Sequence, residues 1–177
     1  PIALPIVANS TVRNDALVAL WLGPRSWLLF AESAGSPFAD FIDKRDALNA
    51  VGGALFDLSA SRVAYRLAGK RATDVLATGC PLDLHPRTFR AGDCAQSVFG
   101  RVNVLLYKSD DAPTFTITVA RSLARDVGRA LLLAVAQPLL DVGDHVLELP
   151  VELARGLDAI SELLGRVLEV EVGPAHG

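Results

Sequence analysis

The 177-residue sequence lacks methionine and contains only two cysteines and three histidines. Cys80 and Cys94 are too few for the disulfide framework of a small secreted domain. No apolar run approaches the ~18 uninterrupted residues of a membrane-spanning helix, because the longest run, 130–140, contains Gln137 and Pro138. A basic and then apolar leader is also absent from the N-terminus. We therefore expect a reduced, cytoplasmic protein.

Concentrated positive charge and the common catalytic motifs are missing as well. The net charge is −3, and no basic block marks a nucleic-acid surface. Neither phosphate-binding loop pattern, GxGxxG or GxxxxGK[ST], occurs, and the nucleophile elbow GxSxG is absent. Hydrophobic residues make up 51% of the chain and charged residues 21%, which is typical of a globular protein and not of a disordered one.

The local patterns that are present predict an α+β fold with mixed or antiparallel sheets and packed helices. Gly and Pro at a turn between two apolar runs predict a hairpin over 16–31. Alternating or apolar segments predict strands at 54–59, 62–69, 94–109 (two strands bent near Gly100), 114–120, 145–149 and 167–172. Helical spacing and cap signals predict helices from Ser36 to Val51, over 70–79 ending at Gly79, from Ser122 to Pro138, and over 151–166.

The chain is short enough for one domain or a tight pair of domains. The segment 138–144 is the one plausible boundary. We expect a main domain over 1–137 and a strand–helix–strand extension over 138–177 that packs on it.

The stretch TGCPLDLHP (78–86) places a thiol, a carboxylate and an imidazole within six positions. Cys80, Asp83 and His85 could serve as nucleophile, orienting acid and base. Two prolines bracket them, however, and a rigid structural turn is the favoured interpretation. A zinc site that adds Cys94 has the wrong spacing for a paired knuckle.

Two further features have non-catalytic interpretations. Asp110 and Asp111 fit a solvated turn better than an acid–base pair. Trp21 and Trp27 fit core or interface anchors. We therefore predict no catalytic, cofactor-binding or metal-binding residues in this chain.

Several longer segments, which cover about two-thirds of the chain, resemble the gamma subunit family of heterotetrameric sarcosine oxidase. The segments that carry the resemblance are LWLGPRSWLLFA (20–31), DLSASRVAYRLAG (57–69), VLATGCPLDLHPRTF (75–89), GDCAQSVFGRVNVLLY (92–107) and PTFTITVARSLARDV (113–127). The string GCPLDLHP is the most specific of these. No counterpart of 138–177 is recognised in that family.

The same residues are similar to a reduced form of the folate-binding aminomethyltransferase fold, the T-protein of glycine cleavage. In that superfamily a helix runs into a Thr-Asn-Asp turn whose aspartate serves folate chemistry, and here the turn is Thr78-Gly79-Cys80. A thiol does not replace a carboxylate charge at neutral pH without a large pKa shift. The resemblance therefore implies that folate chemistry is lost. The alternative is a stand-alone folate-binding protein that uses Asp83 or Asp57.

The resemblance implies a subunit without its own active site, in an oxidoreductase complex of sarcosine catabolism and one-carbon metabolism. FAD, FMN, NAD and tetrahydrofolate would belong to partner subunits, chiefly a large folate-fold subunit on which this chain docks. The amine that the complex oxidises would bind in a partner, so a related N-methyl amine remains an alternative to sarcosine.

The apolar segment 130–140 has a consequence for docking. It has few polar residues on any face, and the mean hydropathy of the chain is positive (+0.35). A helix apolar on all sides is either core of its own domain or is covered, here by the 138–177 unit or by another chain. If it is exposed, we expect the isolated protein to form homo-oligomers through this surface or through a sheet edge.

Overall fold

The computed structural model describes residues 2–31, 41–140 and 167–172, which form strands and helices mixed along the chain. The strands are β1 (Thr11–Arg13), β2 (Leu17–Gly23), β3 (Ser26–Ala31), β4 (Gly53–Asp57), β5 (Arg62–Ala68), β6 (Cys94–Phe99), β7 (Val102–Lys108), β8 (Thr114–Ala120) and β9 (Val167–Val172). The helices are α1 (Phe41–Ala50), α2 (Ala72–Ala77) and α3 (Ala124–Leu140), the last preceded by a 3-10 turn, Arg121–Leu123. Every strand pair whose register is described is antiparallel, which confirms the α+β class.

The chain divides into two compact units. The first takes its described residues from 1–62, 92–95 and 164–177, and the second takes them from 63–91 and 96–163. Most of 138–177 lies outside the described residues, so the predicted division at 137 stays a prediction. Among the residues described, no helix is both long and apolar enough to cross a membrane.

The sheet of the first unit has the strand order β1-β2-β3-β9-β4. The predicted hairpin over 16–31 is confirmed as β2 and β3, and the predicted strand at 167–172 is confirmed as β9. β9 lies between β3 and β4 and is antiparallel to both. Two other predicted elements of the tail, the strand at 145–149 and the helix at 151–166, lie outside the described residues.

Both faces of the β2–β3 hairpin are buried. One face carries the cross-strand pairs Leu17–Ala31, Ala19–Leu29 and Trp21–Trp27, which belong to the core cluster of this unit or pack against it. The other carries the pairs Val18–Phe30 and Leu20–Leu28, which are also buried. Trp27 is an anchor as predicted: its ring is buried and its Nε1–H donates to the carbonyl of Pro5 at 2.7 Å.

The sheet of the second unit has the strand order β5-β8-β7-β6. Gly100 turns the chain between β6 and β7 with φ of +63°, a conformation that favours glycine. The strand predicted for 114–120 is confirmed as β8. Its apolar residues Phe115, Ile117 and Val119 are fully buried in the core of the unit, and Thr114 and Thr118 on its other face are buried as well.

Helix boundaries follow the sequence signals only in part. Gly52, with φ of +81°, ends α1 as predicted, whereas the predicted start at Ser36 lies outside the described residues. The predicted start in or near Ser122 is confirmed, because α3 begins at Ala124 directly after the 3-10 turn that contains Ser122. The predicted end at Pro138 is wrong, since α3 continues to Leu140. A proline removes the hydrogen bond to the carbonyl four residues earlier and crowds that carbonyl, which a helix can accommodate as a kink without ending there.

Candidate functional site

The turn that follows α2 is where the resemblance placed a lost folate site. Thr78 is the C-cap of α2 in right-handed helical conformation, and its hydroxyl donates to the carbonyl of Val75 at 2.7 Å. The amides of Gly79 and Cys80 both donate to the carbonyl of Leu76, at 3.1 and 2.8 Å. The helix end is thus satisfied by local hydrogen bonds.

Gly79 is required by a close approach and not by a left-handed cap, which corrects the sequence interpretation. A Cβ at this position would lie 3.0 Å from the ring of Phe99 and 3.1 Å from the amide nitrogen of Gly100. The Gly100 amide donates to the Gly79 carbonyl at 2.8 Å. The end of α2 is therefore joined to the β6–β7 turn by backbone contact.

Cys80 points into the core and not toward solvent. Its side chain is buried, and its Sγ lies 3.7 Å from the hydroxyl oxygen of Ser97 on β6. A buried thiol with a hydroxyl partner packs as a small apolar side chain, whereas a reactive cysteine needs exposure and positive charge nearby.

Asp83 uses its carboxylate to hold the turn together. One oxygen accepts the backbone amide of His85 at 3.0 Å, and the other accepts the hydroxyl of Thr88 at 2.9 Å. The bond from the His85 amide, and then the bond from Thr88, hold the pKa of the Asp83 carboxyl below its ordinary value. The carboxylate therefore acts as an acceptor that closes a loop of its own neighbours.

His85 is a hydrogen-bonded structural residue in an exposed position. Its Nδ1 accepts the backbone amide of Arg87 at 3.2 Å, and its carbonyl accepts the amides of Thr88 and Phe89 at 2.8 and 2.9 Å. An accepting Nδ1 places the proton of a neutral imidazole on Nε2. The loop is anchored by Phe89, whose buried ring stacks on Phe115 with centroids 6.3 Å apart.

The three candidate residues thus serve three separate structural purposes. Cys80 packs in the core, Asp83 bonds the amide and not the imidazole of His85, and His85 bonds the amide of Arg87. A catalytic triad requires the acid to orient the imidazole and the imidazole to reach the nucleophile. The hydrogen bonds observed here favour the structural turn.

Cys94 is a second buried thiol, and it lies in the first unit. Its Sγ is 3.4 Å from the carbonyl oxygen of Ser10 and 3.6 Å from that of Trp21. Burial raises the pKa of this thiol to about 11, so the reactive thiolate is scarce at neutral pH. Across 2–31, 41–140 and 167–172, no group of three or more His, Cys, Asp or Glu side chains could hold a metal ion.

The remaining acidic candidates lie in turns. Asp57 is exposed at the end of β4, where its carboxylate accepts the amide of Ser59 at 2.9 Å. Asp110 and Asp111 are exposed between β7 and β8, as predicted. The sequence interpretation missed Lys108, whose side chain is buried and whose Nζ donates to the carbonyl of Asp110 at 2.7 Å. The continuous apolar run before Lys108 was the only signal that this lysine would be buried.

Comparison with known proteins identifies the same family that the sequence segments resemble. Residues 1–137 match the model of the sarcosine oxidase, gamma subunit family. A chain of the heterotetrameric sarcosine oxidase from Corynebacterium sp. U-96, solved in complex with pyrrole 2-carboxylate, superposes with a TM-score of 0.70 at 28% identity. The match covers 82% of this chain and 72% of that one. No curated protein matches the sequence significantly.

Proposed function

Because the chain belongs to the sarcosine oxidase gamma subunit family, we propose that it serves as the gamma-type subunit of a heterotetrameric sarcosine oxidase and carries no active site of its own. The match over residues 1–137 is the observation that carries this proposal. That region includes the β2–β3 hairpin and the turn at 78–86, so the likeness extends through the segment whose Cys80, Asp83 and His85 were the candidates for catalysis.

The hydrogen bonds of the turn support a non-catalytic role. The side chains of Cys80, Asp83 and His85 are engaged with Ser97 and with the backbone and Thr88 of the turn itself. A catalytic group must be within hydrogen-bond reach of a substrate or of another reacting group. These groups instead fix the conformation of residues 80–89.

We place the cofactors in the other subunits. Dinucleotide sites form at the ends of parallel strands beside a glycine-rich turn, whereas every described register in this chain is antiparallel and the glycine-rich motifs are absent. This supports the placement of the dinucleotides FAD and NAD in the other subunits, and we extend the proposal to FMN and tetrahydrofolate. We propose that its chief partner is the large folate-fold subunit, in the cytoplasm.

Reconstitution tests the proposal directly. The remaining subunits are co-expressed with and without this chain, and the purified material is analysed for stoichiometry, flavin content and sarcosine-dependent hydrogen peroxide formation. We expect this chain to co-purify stoichiometrically with the other subunits and to be colourless and inactive when isolated. An isolated chain with stoichiometric flavin absorbance, or one that never associates with the other subunits, contradicts the proposal.

Variants of the turn test the absence of an active site. In the assembled complex, Cys80→Ser and His85→Ala should leave sarcosine turnover within about twofold of wild type, since loss of a general acid or base costs about 10²–10⁴-fold. Turnover that falls a hundredfold or more, with the complex intact by gel filtration, contradicts a structural role for these residues.

Calorimetry with tetrahydrofolate tests the alternative of a stand-alone folate-binding protein. We expect weak or undetectable binding, because cysteine occupies the position of the acidic residue. Micromolar affinity that is lost in Asp83→Asn or in Asp57→Asn supports the alternative, and each variant assigns the binding to its own carboxylate.

A further inference from the structure

The sulfur of this chain is confined to two side chains. None of the 177 residues is methionine, and the two cysteines are Cys80 and Cys94. Both lie among the residues that the structure describes, and both are buried free thiols. The surroundings of every sulfur atom in these 177 residues are therefore described.

Cys80 is shielded within the second unit. It is 5% exposed, and its Sγ lies 3.7 Å from the hydroxyl oxygen of Ser97. Its backbone amide donates to the carbonyl of Leu76 at 2.8 Å, so the residue that carries the thiol is held at the end of α2. A reagent in solution reaches this sulfur only when the surrounding structure opens locally.

Cys94 is shielded within the first unit, both by its position and by its protonation state. It is fully buried, and its Sγ lies 3.4 Å from the carbonyl oxygen of Ser10 and 3.6 Å from that of Trp21. Burial raises the pKa of this thiol to about 11. At pH 7.5 the reactive thiolate is thus roughly a hundredfold or more scarcer than in a cysteine with an ordinary pKa.

The shielding of sulfur is relevant to hydrogen peroxide, which oxidises cysteine and methionine side chains. A thiolate attacks one oxygen of the peroxide and the O–O bond breaks; the sulfur is oxidised by two electrons to a sulfenic acid, and the departing hydroxide takes up a proton to form water. A thioether accepts one oxygen atom to become a sulfoxide, and water is released. Both reactions need an accessible sulfur, and the first also needs the thiolate.

We propose that this chain is a peroxide-resistant subunit, whose two thiols stay unoxidised in the folded complex while hydrogen peroxide forms at an active site in another subunit. The inference rests on the proposed function, because that function places the oxidation of an amine by O2 in a partner. An oxygen atom added to either sulfur would need space that a packed core lacks. Burial therefore protects the packing of both units as well as the thiols.

Oxidation rates of the full chain test the shielding of the thiols. The isolated protein is treated with an excess of hydrogen peroxide at pH 7.5, in buffer and in urea, and the oxygen gained is followed by intact mass and peptide mapping. We expect each thiol to react at least about a hundredfold more slowly in the folded protein than in the unfolded chain. Equal rates in buffer and in urea overturn the inference.

A matched pair of methionine variants tests whether burial is the cause of the resistance. Leu133 is 53% exposed and Leu106 is fully buried, and exchange of leucine for methionine nearly conserves volume. Leu133→Met should form sulfoxide in the folded protein at nearly its rate in urea, whereas Leu106→Met should be protected. Melting temperatures close to that of wild type show that both variants fold. Oxidation of both variants at one rate, or resistance of Leu133→Met equal to that of wild type, overturns the inference.

The complex during turnover tests the functional part. The reconstituted complex oxidises sarcosine without catalase and with dimedone, which traps sulfenic acids, and this chain is then separated and mapped. We expect Cys80 and Cys94 to be recovered as unmodified thiols. Oxidised thiols in a complex that forms peroxide overturn this inference alone, whereas a complex that forms no hydrogen peroxide contradicts the proposed function and this inference with it.

Discussion

Replacing Gly79 with alanine should destabilise the protein by about 2 kcal/mol, because the new Cβ would meet atoms that have little freedom to move. That Cβ would lie 3.0 and 3.1 Å from two ring carbons of Phe99 and 3.1 Å from the amide nitrogen of Gly100. The ring can shift slightly, but the Gly100 amide is held by its 2.8 Å hydrogen bond to the Gly79 carbonyl.

The magnitude follows from three contributions. Crowding of one methyl group in a packed site costs about 1–3 kcal/mol. A stretched hydrogen bond between Gly100 and Gly79 loses part of the ~0.5–1.5 kcal/mol that such a bond contributes. The reduced entropy of the unfolded chain offsets about 0.4–1 kcal/mol. At roughly 2–4 °C per kcal/mol for a chain of this size, the melting temperature should fall by about 4–8 °C.

Two other glycines provide controls. Gly23 has no atom within 4 Å of a built Cβ and no positive φ, so Gly23→Ala should be neutral or slightly stabilising. Gly100 also has open space but a φ of +63°, so Gly100→Ala should cost about 1–2 kcal/mol through backbone strain. Gly100→Asn should recover part of that loss, because asparagine tolerates this conformation.

Side chains of increasing size distinguish steric crowding at Gly79 from backbone strain at Gly100. The cost at Gly79 should increase from alanine to valine, whereas the cost at Gly100 should depend little on side-chain volume. Thermal and urea unfolding, followed by circular dichroism, measure both series. If Gly79→Ala melts like Gly23→Ala, the close approach between α2 and the β6–β7 turn is wrong.

Three further predictions concern single side chains. Asp83→Ala should lower the free energy of unfolding above about pH 4, because the pKa of the Asp83 carboxyl is depressed in the folded protein. The stabilisation that this carboxylate provides is complete above its ordinary pKa and is lost as the pH falls through its lower pKa in the folded state. Urea midpoints of wild type and variant should therefore converge at low pH, and a constant gap would contradict the assignment. Cys94 should react with iodoacetamide at pH 7.5 only after denaturation, since burial raises its pKa to about 11, and peptide mapping of native protein should find it unmodified. Tyr65→Phe should cost about 1–2 kcal/mol in urea unfolding, because the buried hydroxyl donates to the carbonyl of Ala124 at 2.7 Å; a loss below about 0.3 kcal/mol would mean that this bond contributes little.

The structure shows which residues of the apolar segment 130–140 are buried and which are exposed. The sequence left three alternatives: a helix buried in its own domain, a helix covered by the 138–177 unit, and a helix covered by another chain. In the structure Leu131 and Ala134 are buried while Leu133 and Val135 are exposed, so burial in its own domain holds for one face of the helix. Homo-oligomer formation by the isolated chain remains a prediction, which light scattering at high concentration tests.

Several strands and turns could be predicted from local sequence patterns alone. The hairpin of β2 and β3 follows from two apolar runs around Gly23, and β8 follows from strict alternation between Thr114 and Ala120. These signals are local: turn chemistry and a period of two act within a few residues. The family resemblance arose from the same segments, because they combine specific turns with specific strands.

Contacts between distant segments followed from packing and not from the local pattern. β9 pairs with β3 and β4, and its alternating pattern predicted a strand but not its neighbours. Gly79 carried the signature of a helix cap, yet the approach of Phe99, twenty residues later, explains it. Asp83 was predicted to lie in a structural turn, and the structure identifies its partners there as the His85 amide and the Thr88 hydroxyl, both close in sequence. The physical reason is shared by β9 and Gly79: a residue's own period and propensity specify its element, whereas its partners are set by packing between elements that are far apart in the chain.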